Sequence, residues 1–198
     1  QLAIDATQTT VSGLSSGGYM AVQLHVALSA TFAKGAGIVA GGPYFCAEGS
    51  IVNATGRCMA HSASIPVASL VSTTKSWAAS GLIDPLANLA GSKLYLFSGS
   101  ADRTVVPAVM DDLRSWYRSF VPDAAVVYDK RVAAGHGMVT DDQGVTCGTT
   151  ASPFINDCDV DLAGAMLRHF YGPLAPRNDG ALGGRFVEFD QTAFVSGH

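Results

Sequence analysis

The pentapeptide GLSSG at 13–17 constrains the fold of this chain more than any other feature. It has the form G-x-S-x-G and stands between a short β-prone run at 9–13 and an apolar helical stripe at 18–28. On such a strand-to-helix turn the serine is held in a strained backbone conformation, and glycines two residues to either side let strand and helix pack closely. Because Gly/Ser-rich turns are common, the pentapeptide alone could also be an ordinary turn. If the pentapeptide is the strained strand-to-helix turn, Ser15 stands exposed at the start of a helix.

Strands and helices alternate along the rest of the sequence. Strands are predicted at 36–40, 93–98, 125–128 and 185–189, and helices at 66–77, 107–120 and 159–171. This alternation predicts an α/β protein with a mainly parallel sheet and flanking helices. No repeat or linker divides the chain, so residues 1–198 are expected to form a single domain.

An aspartate and a histidine follow two other predicted strands. Asp102 comes after the strand at 93–98, and His136 stands between two glycines after the strand at 125–128. Taken singly, these residues could be a turn aspartate and a surface histidine. Together with Ser15 they occur in the chain order Ser, Asp, His of the α/β-hydrolases, each at the carboxyl end of a strand. The combination predicts a catalytic triad in which His136 is the general base and Asp102 holds its tautomer.

Further site residues are predicted next to this triad. The backbone N–H of Ser16, directly after the nucleophile, is expected to donate to the developing oxyanion. Tyr19 and Tyr44 are candidates for binding an apolar acyl group, with Tyr19 the better placed of the two because it lies beside the turn. Trp116 lies on the apolar face of a predicted helix and is expected to pack in the core.

Composition excludes two classes of partner. Charged residues make up 14% of the chain, and 12 Lys+Arg against 16 Asp+Glu give a net charge of −4. The few basic residues are scattered, which argues against a nucleic-acid binder. No stretch approaches the ~18 apolar residues that a membrane span needs.

No metal-ligand cluster or cofactor motif occurs, so no metal and no organic cofactor is implied.

Cysteine usage indicates the compartment. The four cysteines are Cys46, Cys58, Cys147 and Cys158, and they contain no CxxC pair. Four cysteines allow three connectivities, of which local pairing across the two short loops is the most plausible; four unpaired core cysteines are the alternative. The chain begins at Gln1 without a charged or apolar leader, as expected of a mature product after removal of a signal peptide. A secreted, extracellular protein is therefore predicted.

The sequence resembles the extracellular poly(3-hydroxybutyrate) depolymerases that carry a lipase box near the N-terminus. The resemblance runs through VSGLSSGGYMA at 11–21, AGGPYFC at 40–46, KSW at 75–77, KLYLFSGSADRTVVP at 93–107, GHG at 135–137, SPFINDCDVDLAGAMLRHFYG at 152–172 and FDQTAF at 189–194. It implies that Ser15, Asp102 and His136 are the triad, and that the disulfides are Cys46–Cys58 and Cys147–Cys158. It further implies a circularly permuted α/β-hydrolase that cleaves ester bonds in a polyester of short 3-hydroxyacids.

The resemblance also implies further strands. In such relatives, the strands missing from the front of a permuted hydrolase follow a segment like FDQTAF, with a His-Gly-Cys stretch that supplies the second oxyanion donor. This sequence ends at 195–198 without them. We therefore expect an incomplete fold here, completed by a second polypeptide or by a missing C-terminal segment.

Three functions are considered from the sequence. The leading one is a secreted serine esterase that hydrolyses poly(3-hydroxybutyrate) or its oligomers through an acyl-enzyme on Ser15. A related esterase acting on small acyl or feruloyl esters of plant polysaccharide is the first alternative. A non-catalytic binding protein on a hydrolase scaffold is the second, and the complete triad argues against it.

Overall fold

Four parallel strands form the main sheet in the computed structural model, which describes residues 4–181 and 183–194. The strands are β1 (Thr10–Leu14), β2 (Gly35–Val39), β3 (Lys93–Phe97) and β4 (Val126–Asp129), hydrogen-bonded in that order. In the register of the sheet, Thr10 pairs with Gly35 and Gly35 pairs with Lys93. Because all four strands run the same way, their carboxyl ends lie at one edge of the sheet.

Five α-helices accompany the sheet. They are α1 (Ser16–Ala27), α2 (Ile51–Thr55), α3 (Val67–Ala79), α4 (Pro107–Tyr117) and α5 (Leu162–Tyr171). A π-helical turn (Gly56–Ala60) continues α2, and short 3-10 helices lie at Ala6–Gln8, Leu86–Gly91, Asp123–Ala125 and Gln191–Phe194. Proline at the first position of α4 suits a helix start, because its missing N–H has no partner there anyway.

The alternation of side chains along β3 divides the core into two clusters. Leu94 and Leu96 are fully buried on the face covered by α1, α3 and α4. Tyr95 and Phe97 are buried on the opposite face, with residues of α5. Successive side chains of a strand point to opposite faces, so the sheet is covered on both sides, as an α/β sheet requires. Trp116 is buried in the first cluster, as predicted.

A second, smaller sheet follows the main one along the chain. It consists of β5 (Met138–Thr140), β6 (Val145–Thr146) and β7 (Ile155–Asp157), all parallel, in the order β5-β7-β6. Strands of two or three residues carry no usable alternation pattern, which is why the sequence did not predict them.

Both predicted disulfides are present. Cys46 and Cys58 are bonded with their Cα atoms 6.1 Å apart, and Cys147 and Cys158 with theirs 4.7 Å apart. The first bond spans more than a loop, because α2 and the first two residues of the π-helical turn lie between its cysteines. We call residues 45–60 the first disulfide lobe.

The element predictions agree with the structure except at one segment. The strand predicted at 185–189 does not form: those residues are described without secondary structure, and Phe186 is fully exposed. An alternating pattern becomes a strand only where it joins a sheet, and residues 185–189 belong to neither of the two described sheets. Across residues 4–181 and 183–194, we find no helix with the length and apolar character needed to cross a membrane.

Candidate active site

Ser15 occupies a sharp turn between β1 and α1. Its backbone has φ 56° and ψ −121°, a region that residues with a side chain rarely adopt. The turn is held from both sides, because the Ser15 N–H donates to the Val39 carbonyl at 2.9 Å and the Ser15 carbonyl accepts from the Tyr19 N–H at 2.9 Å. The strained turn expected from the pentapeptide is therefore present.

Glycines allow the close packing of this turn, but only one of the two glycines predicted from the pentapeptide is needed for it. A Cβ at Gly13 would collide with the Gly17 carbonyl, and a Cβ at Gly18 would lie 2.9 Å from the Val39 oxygen. A Cβ at Gly17 would meet nothing within 4 Å among the described residues. The glycines that strand and helix require are thus Gly13 and Gly18, and the expectation for Gly17 was wrong.

Asp102 and His136 are joined directly. Nδ1 of His136 lies 2.8 Å from Oδ2 of Asp102, and the two residues are 6% and 1% exposed, respectively. The second carboxylate oxygen of Asp102 accepts from the backbone N–H groups of Thr104 and Val105 at 2.8 and 3.0 Å. Since an ionised carboxylate can only accept, the neutral imidazole carries its proton on Nδ1 and keeps a lone pair on Nε2.

The second disulfide loop, 147–158, positions the backbone around His136. The Gly135 N–H donates to the Cys147 carbonyl at 2.8 Å, and the His136 N–H donates to Thr150 Oγ1 at 2.8 Å. Within the loop, Asn156 Nδ2 lies 2.7 Å from the Cys147 carbonyl and 2.6 Å from that of Thr149. This role of the loop could not be predicted from the sequence, where its only signal is a cysteine pair near the GHG tripeptide.

Close contacts explain why glycines flank His136 in the GHG tripeptide. A Cβ atom at Gly137 would collide with the Asn156 side chain, and a Cβ atom at Gly135 would collide with the Thr149 carbonyl. The two glycines therefore let the second disulfide loop approach the His136 backbone closely.

The three predicted triad residues lie at the carboxyl ends of three parallel strands. Ser15 follows β1, Asp102 follows β3 and His136 follows β4. Asp102 and His136 are hydrogen-bonded, whereas no hydrogen bond links Ser15 to His136 within the described part of the chain. Such catalytic hydrogen bonds are often long without substrate and shorten when it binds. The geometry fits an oriented base at the same edge of the sheet as the predicted serine nucleophile.

An apolar cavity of about 500 Å³ begins at Ser15 and Ser16. It lies between α1 and the first disulfide lobe, whose residues 45–49 form one wall. Met59 and Val105 add apolar side chains. The cavity is large enough for a ligand of several carbon units, and its walls favour apolar groups.

The two tyrosines predicted to bind substrate differ in position. Tyr19 lines the cavity, and its hydroxyl donates a short hydrogen bond to the Cys58 carbonyl. Burial raises the pKa of Tyr19 above its usual value, so the phenol stays neutral. Tyr44 is 4% exposed, packs against the rings of Trp77 and Trp116, and does not line the cavity. The structure gives Tyr44 a packing position in place of the predicted contact with substrate.

The other described histidines make no hydrogen bond to Ser15 or Asp102. His25 is buried in α1, His61 is 3.0 Å from Asp112, and Nε2 of His169 is 3.2 Å from a backbone carbonyl. His198 lies outside the described residues.

Two curated relatives match nearly the whole chain. A poly(3-hydroxybutyrate) depolymerase of Delftia acidovorans is 65% identical over 198 residues, which are 100% of this chain and 40% of that protein. A polyhydroxybutyrate depolymerase of Talaromyces funiculosus is 40% identical over 195 residues, 96% of this chain and 55% of that protein. The chain thus spans about half the length of the curated relatives it matches. A scan of family models found no match.

Solved structures of the same kind share the fold. The crystal structure of the PHB depolymerase from Penicillium funiculosum superposes with a TM-score of 0.84 at 39% identity, covering 92% of this chain and 57% of that one. A PHB depolymerase complexed with an R3HB trimer gives a TM-score of 0.87 at 38% identity, covering 95% and 58%. The fold is therefore of the α/β-hydrolase type seen in these proteins, and the chain belongs to the poly(3-hydroxybutyrate) depolymerase family.

Proposed function

We propose that the protein is a serine esterase that hydrolyses ester bonds of poly(3-hydroxybutyrate) or its oligomers. The observation that carries this proposal is the buried 2.8 Å hydrogen bond from His136 to Asp102, at the same sheet edge as the strained Ser15. The relatives, one of them complexed with an R3HB trimer, support the substrate class. Because the chain spans 40% of the Delftia protein, the activity proposed is that of the whole protein.

In the first half of the reaction, Ser15 becomes acylated. Nε2 of His136 takes the proton of Ser15 Oγ as Oγ attacks the ester carbonyl carbon. The negative charge moves to the carbonyl oxygen, to which the Ser16 N–H in the first turn of α1 is expected to donate. The C–O bond to the leaving group breaks, and the imidazolium returns the proton to the departing alkoxide, which leaves as a hydroxyl end.

In the second half, water regenerates the enzyme. His136 takes a proton from water as the hydroxide attacks the acyl carbon, and the tetrahedral intermediate collapses with cleavage of the bond to Ser15 Oγ. The proton returns to Oγ, and a carboxylic acid is released. Asp102 stabilises the imidazolium in both halves without being protonated itself.

Secretion is part of the proposal. Both cysteine pairs are disulfide-bonded and no cysteine is free in the described chain, as is common in extracellular proteins. The expectation that a second polypeptide or a further segment completes the sheet and the oxyanion site stays a prediction. Intact mass of the active species under denaturing conditions tests it.

A turbidity assay distinguishes the proposed substrate from the first alternative. We expect the whole protein to clear a suspension of poly(3-hydroxybutyrate) and to release little aromatic acid from a feruloylated polysaccharide. The Ser15→Ala variant should clear none. Release of ferulate without clearing would favour the alternative esterase, and clearing by Ser15→Ala would refute the nucleophile.

A further inference from the structure

One face of α1 borders the apolar cavity along two turns of the helix. Ser16, Met20 and Gln23 recur at i, i+4 and i+7, and all three line the cavity. At a rise of 1.5 Å per residue, Gln23 lies about 10 Å along the helix axis from Ser16. The face therefore leads away from the nucleophile and carries an amide at its far end.

Among the polar side chains that line this cavity away from the nucleophile, Gln23 is the one whose amide has no hydrogen-bond partner within the described chain. The Tyr19 hydroxyl already donates to the Cys58 carbonyl, and the Glu48 carboxylate is paired with Arg57. Gln23 is half-buried, and its side-chain amide makes no hydrogen bond with any residue that the structure describes. A half-buried amide among apolar walls binds better to a ligand that supplies the missing partner.

A polyester of 3-hydroxyacids supplies such partners at regular intervals. Each repeat contributes four backbone bonds to the polymer. The three bonds between consecutive Cα atoms of a polypeptide span about 3.8 Å, so four bonds span at most about 5 Å by proportion. Two repeats therefore cover about the 10 Å between Ser16 and Gln23. Each repeat carries one carbonyl acceptor, while its methyl and methylene groups suit the apolar walls.

We propose that Gln23 determines specificity for oligomers by donating a hydrogen bond from its amide to an ester carbonyl about two repeats from the ester attacked by Ser15. This proposal rests on the proposed function. A substrate with one acyl unit cannot reach Gln23, whereas the methyl ester of a 3-hydroxybutyrate trimer can, because its first and last ester carbonyls are two repeats apart. Gln23 thus favours longer chains over short esters at the same nucleophile.

The test compares two substrates in the whole protein. Gln23→Met keeps the length of the side chain and its helix propensity but removes the donor. For this variant, the ratio of kcat/KM on the methyl ester of the (R)-3-hydroxybutyrate trimer (hereafter the trimer) to kcat/KM on p-nitrophenyl acetate should fall about three- to tenfold, the range expected for one neutral hydrogen bond. Gln143→Met, at an exposed loop position, is the matched control and should leave the ratio unchanged.

A binding measurement separates recognition from turnover. In the Ser15→Ala background, Gln23→Met should weaken the Kd for the trimer by a similar factor. Gln23→Glu, which accepts but cannot donate when ionised, should lose as much as Gln23→Met if the partner is a carbonyl.

Several results would overturn the inference. An unchanged ratio and an unchanged trimer Kd in Gln23→Met would refute it. Tight trimer binding by Gln23→Glu would show that the partner is a hydroxyl and would overturn the assignment to a carbonyl. If the unaltered protein does not cleave the trimer at all, the proposed function itself fails, and that outcome is distinct from a cleaved trimer with an unchanged ratio.

Discussion

The carboxylate of Asp102 holds the ring of His136 through a 2.8 Å hydrogen bond that is almost completely shielded from solvent. The same carboxylate accepts two backbone N–H groups, so its own orientation is set by the turn that follows β3. This relationship fixes which nitrogen of the imidazole can accept the proton of Ser15.

Asp102→Asn should therefore disable the base while leaving the turn in place. The asparagine oxygen can still accept from the Thr104 and Val105 N–H groups, but its NH2 would face Nδ1 and favour the wrong tautomer of His136. We expect kcat on p-nitrophenyl acetate to fall about 10⁴-fold. Asp141→Asn, which alters an exposed ion pair with Arg177, is the matched control. A loss below tenfold in Asp102→Asn would contradict the role assigned to this carboxylate.

The two outer glycines of the pentapeptide should respond oppositely to substitution. Gly13→Ala forces a Cβ into the Gly17 carbonyl, and the resulting strain should lower the free energy of unfolding by about 1–3 kcal/mol. Gly17→Ala introduces a methyl group where the described structure leaves open space, and alanine favours the helix, so stability should rise by up to about 1 kcal/mol. Urea denaturation of both variants measures the difference. Equal effects would show that the packing at this turn is misassigned.

The second disulfide should matter for turnover as well as for stability. Cys147→Ser with Cys158→Ser removes the closure of the loop that accepts hydrogen bonds from the Gly135 and His136 N–H groups. We expect a loss of about 3 kcal/mol in the free energy of unfolding and a 10- to 100-fold fall in kcat from the displaced base.

The first disulfide provides the comparison. Cys46→Ser with Cys58→Ser alters a cavity wall and not the base, so we expect KM for the trimer to rise more than kcat falls. A fall in kcat of the same size in both double variants would contradict the separate roles of the two loops.

Acid should destabilise the protein through His25. The Ser92 hydroxyl donates to the Ala33 carbonyl, so Nε2 of His25 must donate to Ser92 and Nδ1 must accept from the Tyr117 hydroxyl. Burial lowers the pKa of His25 from 6.5 to about 4. The unfolded chain therefore binds a proton in a range where the folded protein does not, and stability is lost as the pH falls from about 6.5 towards 4.

The size of this effect follows from the same pKa shift. It amounts to about 3 kcal/mol across the window. Thermal unfolding between pH 7 and pH 4 should show a shallower pH dependence in His25→Gln than in the unaltered protein. His169→Gln, in which a half-buried histidine is replaced, should change the slope less. An unaltered slope in His25→Gln would refute the assignment.

Local patterns predicted much of this architecture. The strands at 36–40 and 93–98 are buried on both faces and read as continuous apolar runs, so they were found almost to the residue. The helix that contains Trp116 carried a clear apolar face. The turn at Ser15 and the residues Asp102 and His136 were visible because each follows such a strand.

Features that depend on tertiary contacts could not be predicted from the sequence. The alternation at 185–189 is real, but a strand also needs a partner, and periodicity carries no information about one. Gly18, and not Gly17, meets β2 because of the direction in which α1 leaves the turn. The position of Tyr44 in the core was likewise decided by packing against two tryptophans. A role for Gln23 could not be predicted, because a single glutamine on a helix forms no sequence motif.

We predict that Ser15 is the nucleophile activated by the Asp102–His136 pair. Labelling of the whole protein with a serine-directed phosphonate, followed by peptide mass mapping, tests it most directly. We predict one label per molecule on Ser15, no label in Ser15→Ala, and labelling slowed by orders of magnitude in His136→Ala. A label on another serine, or undiminished labelling in His136→Ala, would contradict the account.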